Sequence, residues 1–165
     1  MKGGSYQVRV EAIRFDAAHF ATFGGNCEPL HGHSYEVAAE VDGNLTEDSW
    51  VVNFQSLKAL LRQMSKQLDH KFMLQMESSI LEMECTDSHW KVRTPAGLGY
   101  VFPRADVVEL PIDNTTAERI SEWFCGALLQ ALEEKGARNV RSVSVDVWEG
   151  PGQRGSYKVN RLPLE

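Results

Sequence analysis

The chain has 165 residues, the size of one ordinary domain, and its 17 basic and 23 acidic side chains leave a formal charge of -6 at pH 7. That balance argues against nucleic acid or an anionic membrane as the main partner, and an anionic substrate would need a local basic pocket. Three scattered cysteines, no charged-then-apolar leader and no apolar run of ~18 or more residues lead to the expectation of a reducing cytoplasm and no membrane span.

Residues 6–19 read as a strand. Tyr6, Val8 and Val10 share one phase, and Ile13, Phe15, Ala17 and His19 take the other, which predicts a bulge near Glu11. A loop over 20–30, rich in glycine and containing Cys27 and Pro29, leads into a second strand over 31–41 that ends at Asp42-Gly43-Asn44. The two strands form a long hairpin.

From Asn53 the period changes. Leu57, Leu60, Leu61, Met64 and Leu68 fall at helical spacing behind Asn53 as N-cap, and Asp69-His70 lies just past the end. Residues 78–112 read as an insertion, in which Trp90 to Arg93 pairs with Tyr100 to Phe102 across a Thr94-Pro95-Ala96-Gly97 turn. No chemistry is assigned to it. A second helix is expected to start at Asn114 or Thr115, where Thr115-x-x-Glu118 has capping-box spacing, and Gly136 is placed to stop it. The last strand, 140–149, puts Val143, Val145, Val147 and Glu149 in one phase, so a carboxylate ends an apolar face. Strands, two helices and further strands predict a single α+β domain, an antiparallel sheet with two helices packed on one face and an inserted hairpin-like segment around 78–112.

The chemistry concentrates early. In a strand, side chains at i and i+2 share a face, so His31 and His33 can converge on one ion, with His19 a short loop upstream. Tyr35, Val37, Ala39 and Val41 continue their phase, so the two imidazoles extend an apolar face. Buried imidazoles need partners, and three together make a first-row metal site a better explanation than three structural histidines. Cys27 sits four residues before His31 in a glycine-rich loop, the place for a sulfur acid/base at the rim. His89, Cys85 and Cys125 are read as ordinary structural or surface residues.

At Phe15-x-Ala17-Ala18-His19, Cys27-x-x-x-His31-Gly32-His33, Leu68-Asp69-His70, Thr115-Thr116-Ala117-Glu118 and Glu149 followed by Tyr157, the chain resembles the 6-pyruvoyl-tetrahydropterin synthase / 6-carboxy-tetrahydropterin synthase family of tunnelling folds. The resemblance implies His19, His31 and His33 as Zn2+ ligands, Cys27 as the proton-transfer residue and Asp69 and His70 as its partners. It further implies Glu149 as the pterin anchor, helped by Thr115 and Thr116, in a pocket between subunits to which a neighbour supplies Glu149. Trimers paired into hexamers, a small-molecule pterin substrate and no nucleic acid or membrane partner belong to the same implication. The expected reaction removes triphosphate from 7,8-dihydroneopterin triphosphate to give 6-carboxy- or 6-pyruvoyl-tetrahydropterin.

Glu28 complicates that expectation. A subgroup of the family with Glu three residues before His-Gly-His cleaves the dihydroneopterin side chain to 6-hydroxymethyl-dihydropterin for folate synthesis, and this sequence has both Cys27 and Glu28. Asn53 also stands where the family is expected to carry Asp. Two other classes compete: a metal-free Cys27–His70 hydrolase, and a non-catalytic zinc-stabilised module whose fourth ligand would be the Cys27 thiolate. Arg154, Lys158 and Lys71 are candidates for contacting a triphosphate.

Overall fold

The structure is a computed structural model that describes residues 6–161. Strand β1 (Tyr6–His19) pairs antiparallel with β4 (His31–Gly43), separated by the short hairpin β2 (Thr22–Phe23) and β3 (Asn26–Cys27). The expected bulge lies between Val10 and Ile13, where Ala12 takes a φ of 61°. The one extra residue lets both Val10 and Ile13 face the same core despite their opposite parity.

Helix α1 (Phe54–Leu68) starts as its sequence requires: the Asn53 side chain accepts from the Gln55 and Ser56 backbone N–H groups, so capping survives without the aspartate. Its buried face is Leu57, Leu60, Leu61, Met64 and Leu68. Strand β5 (Lys71–Gln75) follows, then β6 (Glu82–Cys85), β7 (His89–Arg93), β8 (Gly99–Pro103) and β9 (Val107–Leu110). Helix α2 (Ala117–Glu134) carries Ile120, Phe124 and Leu128 inward and ends at Gly136, whose φ of 77° suits glycine at the left-handed position. Its N-cap is Thr116, one residue beyond the expected start, because Thr115 is drawn into the protein by other bonds. Strands β10 (Val140–Gly150) and β11 (Gln153–Asn160) complete the fold.

The main sheet runs β11-β10-β4-β1-β5-β9. Four strands are antiparallel, as expected, and β5 and β9 extend the sheet in parallel pairing. Both helices pack against the sheet over one core that includes Val10, Phe15, Tyr35, Val37, Val143, Val145 and Val147. The segment expected as an insertion over 78–112 divides: β6, β7 and β8 form a separate three-stranded sheet in which β7 and β8 make the predicted hairpin, whereas β9 belongs to the main sheet because it pairs with β5. Trp90 and Val92 from the separate sheet pack with Phe20, Phe72, Leu74 and Leu81 in a second core, against which Cys27 is also packed. The insertion thus buttresses the loop that carries the candidate acid/base.

Candidate metal centre and its surroundings

Antiparallel register sets the centre. His19 lies directly opposite His31, and His33 stands two residues along on the same face, opposite Ala17. The three rings meet edge to face with centroids 4.7 to 5.1 Å apart, and the three ligand atoms all lie within 4.8 Å of one another. His19 is 1% exposed. A carbonyl can only accept, so the 2.9 Å contact to the Thr115 oxygen makes His19 Nδ1 the protonated nitrogen. Its Nε2 is then a buried lone pair with no protein partner. His31 repeats the arrangement: its Nδ1 donates to the Pro29 carbonyl at 2.7 Å. Two of the three imidazoles are therefore held in the tautomer that presents Nε2, the second-layer pattern that a metal-binding histidine requires.

Electrostatics agree. Burial drives the His19 imidazole down to about 4, with His31 and His33 adding to the effect, and burial likewise lowers His33. Neutral rings are what a divalent cation needs. An orphaned buried Nε2 beside two further imidazoles is a donor set that fits zinc with three protein ligands.

Around the trio stand acidic groups. Burial raises the half-buried Glu149 carboxyl, and the Glu28 and Glu118 carboxylates push in the same direction while His31 opposes them. Glu149 therefore feels Glu28 and His31 of its own protomer. Tyr35, the next residue on the histidine face, is fully buried with its ring 5.5 Å from His33 and its hydroxyl without a protein partner. Burial and the charges of Glu149 and Glu28 hold that phenol protonated.

Cys27 occupies β3, half-buried, and burial raises its thiol. It does not join the mutually close donor set of the three histidines. Its strand partner Thr22 is clamped by Asn114, whose Oδ1 accepts from Thr22 N–H and whose Nδ2 donates to Thr22 O, each at 2.8 Å. Glu28 is exposed, and its N–H donates to Ala21 O.

Asp69 and His70 form a separate group with Asp16. Asp69 is the C-cap of α1 and accepts from the Asp16 N–H at 2.9 Å, while His70 Nδ1 lies 3.0 Å from Asp69 Oδ1. The Asp16 N–H and then His70 hold the Asp69 carboxyl below the usual range. His70 is exposed and sits at a φ of 58°, a strained position for a side chain of its size. Asp16 takes the Ser34 hydroxyl at 2.5 Å on the face of β1 and β4 opposite the one that Ala17 and His33 share.

Thr115 is fully buried and Thr116 caps α2. The basic candidates are occupied elsewhere: Lys158 bonds Asp42, Arg154 lies beside Asp146 and over Trp148, and Lys71 bonds the Ala105 carbonyl.

The sequence model of the 6-pyruvoyl tetrahydropterin synthase family matches residues 7–160. The chain belongs to this family. It is 32% identical over 150 residues to the 6-carboxy-5,6,7,8-tetrahydropterin synthase of Haemophilus influenzae, covering 87% of this chain and 93% of that one. The Aquifex aeolicus protein of the same description is 31% identical over 134 residues, covering 80% and 75%. The crystal structure of 6-pyruvoyl tetrahydropterin synthase from Plasmodium vivax superposes with a TM-score of 0.89 at 32% identity, covering 96% of this chain and all of the other. That enzyme has also been crystallised with a glutamate described as a catalytic residue replaced by alanine and by cysteine, each with the same TM-score and identity.

Proposed function

We propose that the protein is a zinc-dependent lyase that removes triphosphate from 7,8-dihydroneopterin triphosphate, giving 6-pyruvoyl-tetrahydropterin or, with release of acetaldehyde as well, 6-carboxy-tetrahydropterin. The observation that carries this reading is three clustered imidazoles, one with a buried unpartnered Nε2, within electrostatic reach of the Glu149 carboxyl. His19, His31 and His33 would hold the ion, which when bound supplies Lewis-acid stabilisation of charge developing on the substrate's side-chain oxygens.

The protein's own groups then have these roles. Glu149, ionised, accepts paired hydrogen bonds from the pterin's amino and ring N–H groups and fixes the ring. Thr115 and Thr116 support that end of the pocket from the turn into α2. Cys27 takes a proton from a carbon of the substrate's side chain, and triphosphate departs with the electron pair of its C–O bond. His70, oriented by Asp69, donates a separate proton to the substrate, while the abstracted one stays on the Cys27 thiol. Because Asp69 and His70 lie in a separate cluster of the same protomer, the site is complete only when a second copy brings them to the histidines of the first. The outer strands β9 and β11 leave sheet edges open for such assembly, and the trimers and hexamers implied by the family would use them.

A second reading is favoured by Glu28. It lies within electrostatic reach of Glu149 and Tyr35, and a relative of the same fold uses a glutamate described as catalytic. With Glu28 as base in place of Cys27, removal of a side-chain hydroxyl proton breaks the adjacent carbon–carbon bond, the two terminal carbons leave as the aldehyde that carries the triphosphate, and reprotonation of the remaining carbon yields 6-hydroxymethyl-dihydropterin. The Cys–His hydrolase is disfavoured because it leaves the three histidines without a role. The closed zinc module is disfavoured because Cys27 stands outside the donor set.

Incubating the zinc-loaded protein with 7,8-dihydroneopterin triphosphate and identifying products decides between the readings. Acetaldehyde with a carboxypterin, lost in Cys27→Ala, supports the first. A hydroxymethyl product lost in Glu28→Ala supports the second. No turnover of any pterin defeats both.

A further inference from the structure

Gln75 is 1% exposed at the last position of β5, and its amide has a defined orientation. Its Oε1 accepts from the Thr115 backbone N–H at 3.0 Å and lies 3.0 Å from Thr115 Oγ1. A backbone N–H can only donate, so the amide oxygen, not the NH2 group, must face residue 115. The remaining amide hydrogens point toward Ser78 Oγ at 3.4 Å, a long contact. Thr115 precedes the first turn of α2, and its N–H is satisfied by this side chain and not by a backbone carbonyl. On its other side, the Thr115 carbonyl receives the Nδ1–H of His19.

The bonds form one series: Gln75 holds Thr115, Thr115 holds the ring of His19, and His19 presents Nε2 to the other two imidazoles. Every member is buried, so water cannot replace a lost partner cheaply. The Thr115 hydroxyl also reaches the Phe20 carbonyl at 3.3 Å, tying the same residue to the backbone immediately after His19.

We infer that Gln75 is a positioning residue of the metal centre, fixing the His19 ring and its Nε2-presenting tautomer through Thr115. It touches neither ion nor substrate. The inference rests on the reading of the three histidines as a metal site. Second-layer partners of ligating histidines typically change metal affinity by ~10–100-fold when removed.

The test is titration of the purified metal-free protein with Co2+, read by its visible absorption, followed by competition with Zn2+. Gln75→Met keeps volume and removes the acceptor. It should weaken metal binding by ~10–100-fold and alter the Co2+ spectrum. Gln75→Glu retains an acceptor oxygen for Thr115 and should stay within a few-fold of the parent in affinity. Ser78→Ala removes the other neighbour of the amide and should leave both readouts unchanged. Thermal unfolding of each metal-free variant is measured alongside. A purely structural glutamine would lower the melting temperature of Gln75→Met while its folded form bound Co2+ with parental affinity and spectrum, and that result overturns the inference. Should Gln75→Met fail to fold, Gln75→Asn withdraws the amide by one methylene and carries the same expectation and the same overturning result. Parent protein that binds neither Co2+ nor Zn2+ defeats the metal-centre reading itself, a failure distinct from parental binding by the variants.

Discussion

Tyr35 stacks on Phe15 with ring centroids 4.8 Å apart, and its hydroxyl, fully buried beside the histidines, finds no protein acceptor. A buried hydroxyl left unmatched costs ~1–3 kcal/mol, whereas removing it sacrifices no protein hydrogen bond. Tyr35→Phe should therefore leave the metal-free protein as stable as the parent or raise its urea unfolding free energy by ~1 kcal/mol. A fall of that size would show that the hydroxyl is bonded in solution. Cys27 makes a second residue-scale case. Burial raises its thiol, so in the metal-free protein little thiolate exists at neutral pH. Iodoacetamide labelling at pH 7, mapped by mass to separate Cys27 from exposed Cys85 and buried Cys125, should be slower at Cys27 than at Cys85 and should accelerate on zinc loading. Labelling at Cys27 that is fast and indifferent to zinc would show that this thiol ionises without help from a neighbouring cation.

At the scale of elements, the sheet and α2 meet at Gly155. A Cβ there would lie 2.4 Å from both the Ala117 carbonyl carbon and the Glu118 nitrogen, backbone atoms that cannot swing aside. The Ser121 hydroxyl also donates to the Gly155 carbonyl at 3.0 Å. Gly155→Ala should thus prise β11 from the first turn of α2 and lower stability by ~1–3 kcal/mol, read as a shifted denaturation midpoint with intact secondary structure. This contact could not be anticipated from the sequence, nor could β11 itself. Gly155 and Val159 are almost its only inward positions, so an edge strand of this kind carries little alternation. Strand β5 was hidden for the opposite reason. Phe72, Met73, Leu74 and Gln75 are all buried, since the helices cover one face and the inserted sheet the other, and a continuous run shows no period of two. By contrast β1 and α1 each bury one face only, and β4 and β10 bury a full apolar face with only Ala38, Ser142 and Asp146 buried on the other, so their periods show in the sequence. The histidine trio was legible because two-residue spacing and hairpin pairing act locally. Gln75 and Asn114 were not, because they act on segments 40 and 92 residues away. Glu118 was seen only as a capping residue, and its charge at Glu149 emerges from the docking of α2 against β10.

Across the whole molecule the two faces of the main sheet do different work. One is apolar and ends in the three clustered histidines. The other carries carboxylates shared between strands: Asp146 takes Arg9 of β1 and Ser156 of β11, and Asp42 takes Ser142, Lys158 and Gln7. Burial alone would raise Asp42, but the Ser142 hydroxyl and Lys158 outweigh it and hold the carboxyl below its usual value. These two faces give a two-stage response to acid in the metal-free protein. His19 titrates near 6.5 when unfolded and at about 4 when folded, so between those values the unfolded protein binds the extra proton and stability falls as pH drops. A shift of that size is worth ~3 kcal/mol, fully lost by about pH 4. Asp42 acts later and with the other charge. Its depressed folded value contributes stability above the unfolded carboxylate range near ~3.9, which disappears as pH falls through the folded value. Urea midpoints measured from pH 7.5 to 3 should decline first between about 6.5 and 4, then more steeply below. Zinc should flatten the first stage, because a ligand that binds only neutral imidazoles in the folded state stabilises it by mass action. Ser142→Ala, removing one donor to Asp42, should soften the second stage and leave the first untouched. A profile flat from pH 7 to 4.5 would mean that His19 is not the buried neutral ring that the proposed metal site requires.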